Sequence, residues 1–325
     1  MRGSDSALGV YAWQDTGGGQ GILACAAPEC RARFPVIDGL PVLVADLPRF
    51  LNEAGVYLLA REDLFEPIAD LLGSVIPPGS WFDATRQHLS GYVRDHWGSC
   101  DPKDGAAPAP GQAWGLAQAG LALAGAVSGP IVELGAAAGG VTRALADRFD
   151  TPVLGVDLSA PLARFAARAL RGGTLRYPLR LAGTAYEDRQ ITIPPPLRDN
   201  ARFWLADAMV PPLEPGCAGL VVALNLLDVV SDPAALLRSA AALLRPGGHL
   251  LLCTPFDWSI AATPAGAWLG ARSVEAAAPD VGRWAEEVSG LEVVGRDPEH
   301  RWEVRVHARA TMHYQAEILV LRRRP

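Results

Sequence analysis

The run Ile131-Val132-Glu133-Leu134-Gly135-Ala136-Ala137-Ala138-Gly139-Gly140 decides how the second half of this chain is read. A short apolar stretch of strand character carries an acid near its end, and a turn of small residues leads directly into the helical pattern GVTRALADRF. Small residues at a strand-to-helix turn let backbone approach a ligand closely, and the helix start offers unpaired N–H groups. By itself the turn also fits a dinucleotide loop. Gly135, Ala137 and Gly140 keep a G-x-A-x-x-G spacing, and Asp157 follows roughly twenty residues on, where a ribose-binding acid belongs. Glu133 separates the two readings, because a carboxylate there repels a pyrophosphate and attracts a cationic ligand.

Beyond this turn, short apolar strands alternate with amphipathic helices: PVLGVDLS, APLARFAARALRG, ARFWLAD, GLVVALNLL, DPAALLRSAAALLRPGG and HLLLCTP. That order predicts an α/β domain whose parallel sheet is covered on both faces. The tail LEVVGRDPEHRWEVRVHARATMHYQAEILVLRR alternates without a helix-length gap and predicts an antiparallel closing hairpin. Toward the N-terminus, GVYAW, GILAC and FPVIDGLPVLV read as small strands separated by turns. The expected organisation is a small β-rich lobe over 1–50, a helical cap and linker over 51–113 ending in the Pro/Gly-rich DPKDGAAPAPGQ, and the main domain over 114–325.

With 325 residues, half of them hydrophobic, the chain can bury a large core. No apolar run reaches the roughly 18 residues of a membrane span, and the first residues lack the apolar centre of a signal peptide. A net charge of −6 argues against a nucleic-acid backbone as main partner. Lys103 is the only lysine, which sets Schiff-base chemistry aside. Five scattered cysteines (Cys25, Cys30, Cys100, Cys217, Cys253) fit a reducing cytoplasm better than a disulfide framework.

In order, VELGAAAGG, GVDLS, ADAM and LRPGGHLLL resemble the successive motifs of class I S-adenosylmethionine (SAM)-dependent methyltransferases over residues 129–325. The resemblance implies a Rossmann-like methyltransferase sheet and SAM as cofactor, whose ammonium and sulfonium suit Glu133. Carried over residue by residue, Gly135 and Gly139 line the methionine moiety, with Ala136 also in the cofactor site. Asp157, with Leu158 beside it, takes the ribose hydroxyls, and Asp207 and Ala208 hold adenine. Ala137 stands where the family usually has its middle glycine.

GVDLSAPLARFAARALRGGTLRY, ALNLLDVVSDP and TPFDWSIAATPAGAWLG further resemble the C-terminal methyltransferase domain of ovothiol-type mercaptohistidine synthases. That likeness implies a small acceptor with an imidazole or amino-acid-like nitrogen, as in specialised metabolism; without the sulfoxide-synthase domains the substrate itself is not transferred. ILACAAPECRARFPVIDGLPVLVADL is similar to part of the zinc-ribbon-like activator subunit of tRNA and protein methyltransferases. A structural zinc site wants four ligands in close pairs, whereas Cys25 and Cys30 form one pair, so no metal is expected and the lobe reads as a fused packing module.

For the acceptor, Asn225 and Asp228 follow the fourth strand at the carboxyl edge, where ligands of open α/β sheets sit; Asn225 also borders the cofactor site. In QHLSGYVRDHWG, His88, Tyr92 and His96 recur every four residues, which on a helix makes one stripe, with Tyr92 and His96 the general-base or orienting candidates. Arg305, His307 and Arg309, spaced by two, share a face on an ideal strand and can grip a carboxylate, with Tyr314 and His313 weaker candidates on the same hairpin. Trp258 and Trp268 flank the loop after Pro255 and read as packing. Besides small-molecule methylation, three functions stay open: methylation of tRNA or protein, a non-catalytic binding module, and NAD-dependent redox chemistry.

Overall fold

In the computed structural model the described residues are 8–12, 20–25, 33–37, 40–41, 48, 64, 66–268 and 281–325. The chain forms two compact units, one of residues 1–88 with 178–188, the other of 89–177 with 189–325. The first unit contains a four-stranded antiparallel sheet, β1 (Leu8–Ala12), β2 (Gly21–Cys25), β3 (Arg33–Ile37) and β4 (Leu40–Pro41), joined in chain order. It also holds helices α1 (Glu66–Val75) and α2 (Trp81–His88). Arg86 bridges them, paired with Asp70 at 3.2 Å and lying 4.0 Å from the centre of the Tyr186 ring. Cys30 lies outside the described residues, as does the side chain of Cys25.

The second unit is built on a seven-stranded sheet. Its strands are β5 (Ile131–Leu134), β6 (Val153–Asp157), β9 (Ala201–Leu205), β10 (Ala218–Leu224), β11 (Leu244–Thr254), β12 (Glu292–His307) and β13 (Ala310–Arg322). Their order is β12-β13-β11-β10-β5-β6-β9. The five strands expected from the alternating pattern are parallel, and the β12–β13 hairpin closes the sheet antiparallel, as the sequence predicted. β7 (Gly173–Ala182) and β8 (Ala185–Ile193) form a separate hairpin that the sequence reading did not separate.

Alternation along each strand divides the core between two faces. Ile131, Val153, Leu220, Val222 and Leu251 pack beneath α4 (Gln112–Ala124) and α5 (Gly140–Arg148). Val132, Leu134, Val221, Leu250 and Leu252 face α7 (Pro233–Leu243) and α8 (Val281–Ser289). α6 (Ala160–Ala169) covers β6 and β9, starting after Ser159 with Pro161 in its first turn. α7 begins at Asp232, whose carboxylate accepts the Ala235 N–H. Central strands buried on both faces carry most of the hydrophobic stabilisation, about 1.5–3 kcal/mol for each fully buried Leu or Ile. The polar carboxyl ends of β5, β6, β9 and β10 are thereby left together at one edge.

Candidate functional site

At that edge the turn after β5 is held from below. Gly135 and Ala136 donate their N–H groups to the Val156 carbonyl, and Ala137 donates to Asp157 Oδ2 at 2.8 Å. Asp157 Oδ1 accepts the Ser159 N–H at 2.7 Å. Asp157 therefore braces two loops at once. Ala137 has φ of 44° and Gly139 has φ of 79°, left-handed values that cost a non-glycine residue strain at the first position and need glycine at the second. At Gly139 a side chain would meet Ala166, and at Gly140 it would lie 2.6 Å from His96 Cβ, so the turn admits no bulk on either side.

Glu133 is 3% exposed and accepts the Thr142 hydroxyl from α5 through Oε2. Burial pushes its carboxyl up to about 8, against the Thr142 bond, with the Asp157 charge adding to the rise. Two strands over, Asp207 Oδ1 accepts the Met209 N–H at 2.8 Å, Ala208 is buried, and its carbonyl accepts Ser239 Oγ–H. Leu158 is 67% exposed and Leu205, paired across from Asp157, is 57% exposed. Two acids flanking bare leucine side chains provide acceptors and an apolar platform, the pairing that a purine nucleoside requires.

The helical segment before α4 closes on the turn. A π-helical turn over Leu89–Val93 leads into α3 (Arg94–Trp97). Trp97 Nε1 donates to the Ala138 carbonyl at 2.8 Å, and His96 Nδ1 accepts the Gly140 N–H at 2.8 Å. Of the two roles expected for His96, general base or orienting group, this contact leaves the second. Its Nδ1 lone pair caps α5, burial lowers its proton affinity, and what remains is a neutral ring with an Nε2–H donor rather than a general base. Tyr92 is 44% exposed, yet desolvation followed by the charges of Asp157 and Asp228 raises its phenol. His88 ends α2, whereas Tyr92 lies in the π-helical turn and His96 in α3.

Asn225 and Asp228 stand together after β10. Asn225 has φ of 51°, and its Oδ1 is buried without a partner. Asp228 is 2% exposed; its Oδ2 accepts the Asp257 N–H at 2.8 Å, while Oδ1 has no partner. Burial raises the Asp228 carboxyl, against its own backbone N–H and that of Asp257, with the Asp257 charge adding to the rise. Across from it, Tyr314 OH donates to Asp257 Oδ2 at 2.9 Å and its ring stacks on Trp302 at 4.8 Å. Desolvation, Asp257 and then Asp228 and Tyr92 push the Tyr314 phenol up, which puts Tyr92, Tyr314, Asp228 and Asp257 in one neighbourhood.

Arg305, His307 and Arg309 are placed differently from the expectation. Pairing of β13 with β11 ends at Thr254–Glu317, so the hairpin overhangs the carboxyl edge and its turn lies far out. A register shift falls between Arg305 and His307, and Arg309 lies in the turn beyond β12, so the three do not share a strand face. The Arg305 guanidinium donates to the Ala107 and Ala308 carbonyls, His307 Nδ1 accepts the Arg309 N–H, and His313 pairs with Glu303. Trp258 and Trp268 stack on each other at 6.4 Å. Residues that the sequence reading missed are Thr142, Trp97, Trp302 and Asp257, each tied to its partner only by the folded chain.

The turn over Glu133–Gly140 and the strand-end residues Asp157, Asp207, Asn225 and Asp228 lie within a recognisable stretch. Residues 114–301 match the family model described as a methyltransferase domain. No curated protein matches the chain. Among solved structures, it is similar to a chain of the complex between the Haloferax volcanii Trm112 methyltransferase activator and a methyltransferase (18% identity, 66% of this chain and 91% of that one, TM-score 0.43). It is similar also to the YcgJ protein of Bacillus subtilis (12%, 65% and 98%, 0.42) and to geranyl diphosphate C-methyltransferase from Streptomyces coelicolor A3(2) (24%, 44% and 44%, 0.32). Since the family model spans more than half of its length, this chain belongs to the methyltransferase domain family.

Proposed function

We propose that the chain is a SAM-dependent methyltransferase acting on a nitrogen of a small molecule, in specialised metabolism. The observation that carries this reading is the set of acids at three strand ends, Glu133, Asp157 and Asp207, around a turn that Asp157 itself braces. Glu133, buried and held near 8, is an acid waiting for a cation, and the ammonium of the cofactor meets that need. Asp157 and Leu158 would take the ribose, Asp207 and Ala208 the adenine, and Gly135, Ala136 and Gly139 the methionine moiety. SAM supplies an activated methyl group on a sulfonium, transferred in line to the acceptor's lone pair.

The chain's own contribution is alignment, which can supply roughly 7–11 kcal/mol. Asn225 and Asp228 contact the acceptor, Tyr92 and His96 orient groups as hydrogen-bond donors, and Tyr314 closes the wall. A hydroxyl acceptor needs a base, and the Nδ1 lone pair of His96 is already taken by the Gly140 N–H. This favours a neutral nitrogen, which needs no deprotonation before attack, and is the reason for preferring N- to O-methylation. Arg305, His307 and Arg309 contribute, on this reading, only at the outer rim. The ovothiol-type strings support the amino-acid-like acceptor, and the activator-like string supports reading residues 1–50 as a fused packing module distinct from the helical cap and linker of 51–113.

Calorimetric titration with S-adenosylhomocysteine tests the cofactor half. Micromolar binding is expected, weakened by about tenfold or more in Asp157→Ala and in Asp207→Ala. Absence of binding to the unaltered protein refutes it. Methylation of tRNA or protein is the second reading, favoured by the activator-like string alone, and a salt-dependent gel shift with RNA would revive it.

A further inference from the structure

Two hydrogen-bond acceptors at the candidate site have nothing to accept. Asn225 Oδ1 and Asp228 Oδ1 are both buried without a partner, three residues apart after β10. Asp228 is 98% buried by its 2% exposure, and its other oxygen is already engaged by the Asp257 N–H. A third acceptor group, the Asp257 carboxylate, stands in the same neighbourhood with one oxygen taken by Tyr314 OH. Among the described residues, neither Asp228 nor Asp257 is paired with a Lys, Arg or His side chain.

A buried carboxylate with no counter-charge is a strong specification of its ligand. The ligand has to bring positive charge and at least two donors that diverge toward an amide oxygen and a carboxylate oxygen. A hydroxyl brings one donor and no charge. A metal ion is poorly served, since among the described residues no group of three or more His, Cys, Asp or Glu side chains is placed to hold one. A primary ammonium brings three N–H donors and a full charge. The cofactor's own ammonium is accounted for at Glu133, on the face of the sheet beneath α5.

Resting on the methyl-transfer reading, we propose that the acceptor is anchored by a primary ammonium seated between Asn225 Oδ1 and Asp228 Oδ1, apart from the atom that is methylated. A protonated amine has no lone pair, so it is an anchor and not the nucleophile. The substrate class is thereby narrowed to bifunctional molecules that carry an ammonium at one position and a neutral nucleophilic nitrogen at another.

The test is calorimetry on the full chain at pH 7 and constant ionic strength, with saturating S-adenosylhomocysteine, using phenethylammonium chloride and 2-phenylethanol as probes of matched shape. The ammonium is expected to bind at least about tenfold more tightly than the alcohol, and Asp228→Asn to abolish that preference while leaving S-adenosylhomocysteine affinity within about twofold. Asn225→Ala serves as the second variant if Asp228→Asn does not fold, read for the ammonium preference alone because Asn225 borders the cofactor site. Equal affinity for the two probes, or binding of neither, overturns the anchor. So does a loss of S-adenosylhomocysteine affinity in Asp228→Asn as large as the loss of ammonium affinity, which would assign these residues to the cofactor. If the unaltered protein binds no S-adenosylhomocysteine, the methyl-transfer reading fails. The probe pair is then read on the protein alone, where an ammonium preference lost in Asp228→Asn keeps the anchor and its absence removes it.

Discussion

Glu133 concentrates the residue-scale chemistry of the site. Its folded-state carboxyl lies near 8, above the ordinary value of 4.5, because burial outweighs the Thr142 hydroxyl bond. A raised carboxyl contributes stability that is fully present below the unfolded value and is lost as pH rises through the folded one. Glu133→Gln is therefore expected to stabilise the ligand-free protein little at pH 5 and by on the order of a few kcal/mol at pH 8, checked by urea unfolding at both pH values. A cationic ligand reverses the shift. Titrating SAM at pH 7 in buffers of different ionisation enthalpy is expected to show release of up to one proton, and Glu133→Gln to abolish it. His96 acts with the opposite sign, since its lowered proton affinity makes the folded state lose stability as pH falls below the ordinary histidine range.

At the scale of elements, the decisive contact is between α3 and the start of α5. His96 caps Gly140 N–H and packs on its Cα so closely that an added Cβ would sit 2.6 Å from His96 Cβ and 2.9 Å from the His96 carbonyl oxygen. Gly140→Ala is expected to destabilise by about 1–3 kcal/mol in urea unfolding, and to weaken S-adenosylhomocysteine binding as the turn is pushed off Asp157. The β12–β13 hairpin works differently, by reach. Its overhang past Glu317 carries Tyr314 to Asp257, and Tyr314→Phe is expected to keep the fold, with Tm changed by no more than about 2 °C, while loosening the acceptor wall. How much of the site was legible varies at this scale. The strand-turn-helix at Glu133–Gly140 was plain because its signals are adjacent in sequence, and the carboxyl-edge positions of Asp157, Asp207, Asn225 and Asp228 followed from the alternating pattern. Asp257 was not legible. It is a loop acid without periodicity, and its partner Tyr314 is 57 residues away.

For the whole second unit, a buried ionic knot ties the segment before α4 to the base of the β7–β8 hairpin. Asp101 Oδ2 accepts Arg189 Nε–H at 2.9 Å and the Tyr177 hydroxyl at 3.0 Å, and Oδ1 accepts the Lys103 N–H. Burial opposes the Asp101 charge, but Arg189, the Lys103 N–H and Tyr177 together hold its carboxyl below the usual range. That stability is present above the unfolded value and is lost as pH falls through the folded one. Arg189→Met strands the Asp101 charge and is expected to cost about 3–5 kcal/mol near neutral pH, measured by denaturant unfolding, with a smaller penalty once acid protonates Asp101.

The sequence by itself determined the α/β class, the parallel core, the closing hairpin and the acids at the strand ends, because each is written in residues adjacent in the chain or repeating with the period of its element. Tertiary structure alone decided protonation and partnership. His96 reads as a general base or an orienting group in sequence, and the fold leaves the second role when the Gly140 N–H takes its Nδ1 lone pair. Arg305, His307 and Arg309 share a face on an ideal strand, and a register shift and a turn divide them. Asn225 Oδ1 and Asp228 Oδ1 become a ligand specification only when folding buries them without partners. Desolvation and hydrogen bonding depend on what surrounds a group in space, and residues distant in sequence supply those surroundings.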